Sequence, residues 1–232
     1  MPKAIKKKIT KKAADTEAEV KDRLSTLKET IKQHQKSVLR YGALVLAVII
    51  AVSGFLFYDY SSHKKAKTLE YEAYKSYYNL YQKQPVTRVD QYNKALDLFK
   101  RSYNTKKSPT ALFYIADCYY ELGRYDEALK TLKDFTQRYS AEERLIPLVY
   151  EKMSIAYVKK GDTKEAMKSL ETLYNLKGDI YKDFALIEYA KLLEKDGRTE
   201  EAKKKYKELT EKFPNSPFKA EAEAKLSGKK EG

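Results

Sequence analysis

Polar and apolar positions along the chain fall into three patterns, and each predicts a different element. Between residues 41 and 57 the sequence reads YGALVLAVIIAVSGFLF, without a charge. Tyr58, Asp59 and Tyr60 close the run, and His63, Lys64 and Lys65 follow it. As a helix, residues 41–60 rise roughly 28 Å at about 1.5 Å per residue, which matches a hydrocarbon core of about 30 Å. Tyr41 at one end and Tyr58 and Tyr60 at the other suit the two half-solvated interfaces. A buried core helix has the same composition, but no other segment is apolar on all faces and able to surround it. The run therefore predicts a transmembrane helix over 41–60.

A cleaved signal peptide is the rival reading. It needs a short basic lead and a small-x-small site behind the apolar run. Here 40 residues precede the run, and the small-residue candidate Ala51-Val52-Ser53 lies inside it. No lipobox cysteine is present, the single cysteine being Cys118. An uncleaved single-pass anchor is the expectation. Lys21, Arg23, Lys28, Lys32, Lys36 and Arg40 precede it closely, against Lys64, Lys65, Lys67 and Lys75 after it. This bias predicts a cytoplasmic N-terminus and an exported C-terminal domain.

The second pattern precedes the span. Val20, Leu24, Leu27, Ile31, His34 and Val38 step by alternating fours and threes, a heptad seam. It predicts an amphipathic juxtamembrane helix over 17–40, behind a disordered basic tail over 1–16 that holds Lys3, Lys6, Lys7, Lys8, Lys11 and Lys12. Three heptads make a marginal coiled coil. Three readings stay open: a dimer seam, a helix lying on anionic lipid, or a docking helix for a cytoplasmic partner. The lipid surface is preferred, with His34 a tolerated polar interruption.

The third pattern repeats. Residues 111–135, 148–173 and 184–209 align so that Gly123, Gly161 and Gly197 coincide. Seven positions before each glycine stand Ala116, Ser154 and Ala190, and five after it Ala128, Ala166 and Ala202. Leu132, Leu170 and Tyr206 follow, then Phe135, Leu173 and Leu209. A glycine ending one helix takes the left-handed conformation. Small residues on both sides let two antiparallel helices approach closely, and the later pair continues the apolar stripe of the second helix. One such hairpin cannot bury its own stripe, so neighbours stack. This pattern resembles the tetratricopeptide repeat, over about residues 109–213.

A weaker first hairpin precedes these three. Ala95 and Phe99 match the second-helix positions, and a partner helix over roughly 62–83 carries Tyr71, Tyr74, Tyr78 and Tyr81 as a packing stripe. Thr87 with Asp90, Ser108 before Pro109, Asp162 with Glu165, and Ser216 before Pro217 read as helix starts. Pro147 is placed to open the third hairpin, and a short last helix over 217–226 covers the open end. The fold class is all-α: a transmembrane helix, then an α-solenoid of about four tetratricopeptide-like hairpins and a capping helix over 61–227, with a disordered tail over 228–232.

Charge changes the picture only once it is divided. The chain has 232 residues and a formal net charge of +14. Half of that excess, +7, falls on residues 1–40. The remainder is spread along the repeat helices without a groove-reading motif, so nucleic acid is excluded as a partner. A mean hydropathy of −0.71 excludes a multi-pass membrane protein but not one span.

Catalytic chemistry is hard to place. The sequence has no Walker loop, no G-x-G-x-x-G and no H-E-x-x-H. His34 and His63 flank the span, so neither joins a triad in the repeats. Cys118 reads as a buried structural thiol, far from any histidine. The expectation is no enzyme, no cofactor and no metal. A carboxylate-dependent enzyme is the alternative of another class.

Binding remains. The resemblance implies a groove lined by the first helices, where Phe113, Asp117, Tyr120, Glu121, Glu151, Ile155, Val158, Ile187 and Lys191 would contact a protein or peptide. Asp117 and Glu121 stand where a clamp for a terminal carboxylate would need an amide and a cation. A different ligand mode is therefore expected, through aromatic and apolar contact with mixed charge. The whole layout resembles the YfgM-like ancillary subunits of the bacterial Sec translocon. That resemblance implies a single-pass protein of the bacterial inner (cell) membrane whose periplasmic or extracellular domain assists translocation or chaperoning. Its expected partners are translocon subunits, periplasmic chaperones and membrane lipid, through residues 41–60 and the basic tail, with a homo-oligomer open. A scaffold for cell-envelope or secretion-complex assembly is the alternative.

Overall fold

The computed structural model describes residues 11–80 and 86–228, with side chains from Glu19 onward. Residues 1–10 of the expected basic tail, Tyr81 of the tyrosine stripe and the last four residues lie outside them. The chain divides into two units, Met1–Tyr60 and Ser61–Gly232.

The first unit holds α1 (Lys11–Gln33) and most of the apolar part of α2 (Gln35–Tyr77). Helix is already present at Lys11, inside the segment read as tail, because residues 11–19 are rich in Ala, Lys and Glu, which favour helix. Among the described residues, α2 is long and apolar enough to cross a membrane, and none of its apolar stretch is buried within the chain. The core-helix reading of residues 41–57 is thereby removed.

The second unit is a stack of helical hairpins. The end of α2 pairs with α3 (Arg88–Thr105). Then come α4 (Pro109–Glu121) with α5 (Tyr125–Arg138), α6 (Ile146–Lys160) with α7 (Thr163–Asn175), and α8 (Lys182–Lys195) with α9 (Thr199–Lys212). Helix α10 (Lys219–Leu226) packs on α9. The described residues contain no strand.

The repeat positions do what their chemistry requires. Gly123, Gly161 and Gly197 have φ of +72°, +79° and +75°, the left-handed region that a side chain strains. Ala116, Ala190, Ala128, Ala166 and Ala202 are fully buried, and Ser154 nearly so. Phe135, Leu173, Leu209 and Tyr206 are likewise sealed inside the stack. Thr87, Ser108 and Asp162 accept hydrogen bonds from the amides of Asp90, Ala111 and Glu165, as helix caps do.

Two expectations need correction. The first concerns the tyrosine stripe. Tyr74 packs edge-on against Phe99 and Tyr114, with ring centres 5.2 and 4.9 Å apart, and the half-exposed Tyr78 shares a 2.9 Å hydrogen bond with the Tyr114 hydroxyl, but Tyr71 is exposed. The most buried line of α2 runs beside the stripe, through Ala66, Ala73, Ser76 and Tyr77. Ser102 donates a hydrogen bond to the Ala66 carbonyl at 2.9 Å, and Gln91 donates one to the Tyr77 carbonyl at 2.6 Å. Those small residues set the close approach of α3, which leaves Tyr71 outward. The second concerns the last helix, which starts at Lys219 rather than at Pro217. Ser216 is occupied elsewhere, donating to Asp183 Oδ2 at 2.7 Å while accepting the Phe218 amide.

Second helices are also braced to one another. Tyr174 of α7 donates to Glu208 of α9 at 2.5 Å, and Lys212 lies 2.8 Å from the same oxygen. Burial pushes the Glu208 carboxyl up, but the bonds from Lys212 and Tyr174, with Lys205 beside them, hold it down at about 2.

A leucine at Ala166 is expected to overpack the hairpin and lower stability by about 1–3 kcal/mol, whereas Lys164→Gln on the exposed face should change it by less than about 0.5 kcal/mol. The shift of the urea midpoint reads both. Because the Glu208 pKa is depressed from 4.5, its contribution is complete above that pH and is lost as pH falls toward about 2. Glu208→Gln should cost roughly 1–3 kcal/mol at neutral pH and flatten acid unfolding within that window.

Candidate functional site

First helices α4, α6 and α8 present one face of each hairpin, and the expected groove residues lie on them. Their exposure divides them. Phe113 and Ile187 are 8% and 0% exposed and belong to the core, where Phe113 meets Tyr114 edge-on. Asp117 is buried as well. Tyr120, Glu121, Glu151, Ile155 and Lys191 are half-buried, and Val158 is exposed. The surface available to a ligand is therefore narrower than the sequence alone implied, and it centres on α4 and α6.

At the floor of that face sits a buried carboxylate. Asp117 Oδ2 accepts a 2.5 Å hydrogen bond from the Tyr77 hydroxyl, and Lys152 Nζ lies 2.7 Å from Oδ1. Three successive first helices, α2, α4 and α6, are thus joined through one side chain. Burial alone would push the Lys152 pKa down, but Asp117 opposes that and leaves it above its ordinary value, so the lysine stays charged. Burial raises the neighbouring Glu151 carboxyl. Burial and the Asp117 charge both push the Tyr77 hydroxyl up, which keeps it a donor.

Above this floor the exposed face of α4 and α6 is aromatic and mixed in charge. Lys152 Nζ stands 4.8 Å from the centre of the Tyr120 ring, a cation–π geometry. Arg88 reaches Glu121 at 3.4 Å, an exposed contact of little energetic weight. Farther along, Lys191 lies between Glu188 and Glu221, at 3.0 and 2.9 Å. Lys225 meets Glu194 at 3.1 Å, so α10 is latched across α8. Tyr77 and Lys152 did not emerge from the sequence. The signal that finds Lys152 is a cation on one first helix facing a carboxylate on the preceding one.

Cys118 is fully buried beside this floor, and burial pushes its thiol up, which suits a packing role. Among the described residues, no group of three or more His, Cys, Asp or Glu is placed to hold a metal ion. A cleft of about 600 Å³ lies on the second-helix side, between Lys130 and Lys133 of α5 and Glu165 of α7. It shares no residue with the groove.

Residues 149–180 and 184–216 each match the family described as tetratricopeptide repeat. That stretch of the chain is built of tetratricopeptide repeats. Residues 65–135, which contain the first hairpin and most of the second, match the family described as anaphase-promoting complex, cyclosome, subunit 3. No curated protein matches the chain significantly. Among solved structures, the tetratricopeptide-like repeats of a putative kinesin light chain from Podosopora anserina align at a TM-score of 0.53 with 15% identity, covering 72% of this chain and 85% of that one. That likeness is one of fold. YrrB, described as a tetratricopeptide-repeat protein with an unusual peptide-binding site, aligns at 0.45 with 17% identity over 61% of this chain and 69% of its own. The yeast Sti1 domain solved with an Hsp90 peptide aligns at 0.40 with 22% identity over 72% of each chain. Tetratricopeptide repeats form interaction scaffolds for protein or peptide partners, and the matched repeats give the chain that coarse role.

Breaking the floor pair from one side should be costly, because a buried charge is left unmatched. Lys152→Met is expected to destabilise by about 3 kcal/mol, the low end for such a pair because the Lys152 side chain keeps 18% exposure. The double variant Asp117→Leu with Lys152→Met should recover at least half of that loss in a denaturant-based double-mutant cycle.

Proposed function

We propose that this protein is a membrane-anchored scaffold whose exported repeat domain captures protein partners and assists protein translocation or periplasmic chaperoning. The observation that carries the reading is the unburied apolar stretch of α2 in the same chain as a stack of tetratricopeptide-like hairpins. Residues 41–60 would span the bacterial inner membrane with Tyr41, Tyr58 and Tyr60 at its two interfaces. The excess of Lys and Arg before the span favours a cytoplasmic N-terminus.

In the groove, Tyr120, Ile155 and Val158 supply the apolar contact. Glu121, Glu151 and Lys191 supply polar contacts at its rim, and Asp117 acts from below by holding Tyr77 and Lys152 in place. This chemistry fits a peptide or helix with alternating apolar and charged side chains, not one held by its terminal carboxylate. The link to translocation rests on the layout that resembles YfgM-like translocon subunits: basic helix, one span, exported repeats.

A photo-crosslinker at Val158, with a second at Val48, in native membranes tests the reading by mass spectrometry. Translocon subunits or periplasmic chaperones at both positions are the expected result. A different envelope complex in their place would overturn the translocation role and favour the assembly scaffold. Tyr120→Ala with Val158→Asp should weaken partner capture by roughly tenfold or more while leaving the thermal midpoint nearly unchanged. For orientation, a thiol at Thr10→Cys should resist an impermeant reagent added outside intact cells. Labelling from outside would reverse the topology.

A further inference from the structure

Helix α1 carries an apolar stripe that nothing in its own unit covers: Val20, Leu24, Leu27 and Ile31 are 51%, 59%, 57% and 51% exposed. We infer that α1 is a surface-binding helix for anionic lipid, lying in the headgroup boundary next to the span. The inference rests on the membrane anchor of the proposed function.

The placement of charge around the stripe selects this occupant. At 3.6 residues per turn, Lys21, Lys28 and Lys32 lie along one flank of the stripe and Arg23 along the other. Asp22 and Glu29 fall on the opposite side of the helix. Lysine and arginine at the edges can lay their stems along the apolar surface and extend their charged ends to lipid phosphates. Acids on the far side stay in water, away from a negative surface. Arg23 holds Glu19 at 2.9 Å, but that pair is 76% and 64% exposed and weak enough to exchange for a phosphate.

The same charges oppose a second copy as the occupant. Two anchored chains share one orientation, so a pair of α1 helices would be parallel. In the heptad register of Val20, Leu24, Leu27 and Ile31, a parallel pair sets Arg23 of one copy against Lys28 of the other, and no acid flanks the seam at those positions. Helix α1 ends at Gln33 and α2 begins at Gln35, with His34 alone between them. Backbone hydrogen bonds from His34 to Thr30 and from Val38 to His34, at 3.1 and 2.9 Å, continue through this residue, so lying flat requires a bend there.

The full chain in nanodiscs, spin-labelled at Leu27→Cys, Glu29→Cys or Val48→Cys, tests the inference through accessibility to oxygen and to a water-soluble relaxer. Cys118 is fully buried and stays unlabelled. In discs rich in phosphatidylglycerol, Leu27 should be shielded from the aqueous relaxer and Glu29 open to it. In phosphatidylcholine discs, or at high salt, both should be open. Charge reversal by Lys21→Glu and Lys28→Glu should lower the ratio of immersed to free Leu27 roughly fivefold or more per cation. Spin–spin broadening at Leu27 in both lipids would show a second copy on the stripe and overturn the inference. So would water exposure of Leu27 in the anionic discs while Val48 sits in hydrocarbon, which leaves the anchor standing. A Val48 label in water would overturn the anchor and the inference together.

Discussion

A helical hairpin of the length found here has one apolar stripe more than it can cover, and the second unit is organised by that shortage. The two helices of a pair approach closely because alanine or serine stands where their axes draw near. Close approach leaves the larger side chains no room between the two helices, so Phe135, Leu173, Leu209 and Tyr206 extend toward the next pair. Each hairpin is therefore a partial structure until its neighbour arrives, and the core is one continuous cluster from α4 to α10 with a second under α2 and α3. The left-handed glycines set the turn angle that makes this stacking regular.

Apolar stacking is tolerant of small rotations between hairpins, and the Asp117 centre removes that tolerance. A carboxylate with a tyrosine hydroxyl on one oxygen and an ammonium at the other accepts little angular error, because either partner left behind would be a desolvated polar group. It ties α2, α4 and α6 at one point below the groove. The relative placement of Tyr120, Ile155 and Val158 thus depends on a polar contact beneath them, while the apolar core supplies the bulk of the cohesion.

Much of the repeat fold was legible in the sequence because its determinants are local. Gly123, Gly161 and Gly197, and the small residues seven before and five after each, act within one hairpin, so spacing alone exposes them. The groove was less legible. Phe113 and Ile187 share its helices but turn into the core, since a shift of one residue on a helix moves a side chain by about 100°. Tyr77 and Lys152 act between hairpins, and their pairing with Asp117 depends on how the stack winds, which no single repeat encodes. The tyrosine stripe of α2 was only partly right for the same reason: Tyr74 and Tyr78 meet Tyr114, but Ala66, Ala73 and Ser76 decided which face α3 meets most closely.

The latch of α10 across α8 bears on a matter of counting. A stack of like hairpins has no intrinsic length, since every added unit ends in the same uncovered stripe as the one before. Left bare, such an end would accept the first helix of any similar chain and invite head-to-tail growth into a filament. Lys191 with Glu221, and Lys225 with Glu194, hold an eight-residue helix over that end. Its outer side carries Lys219 and Glu223 in place of a new stripe. At that face the stack offers charge where a further hairpin would need an apolar stripe.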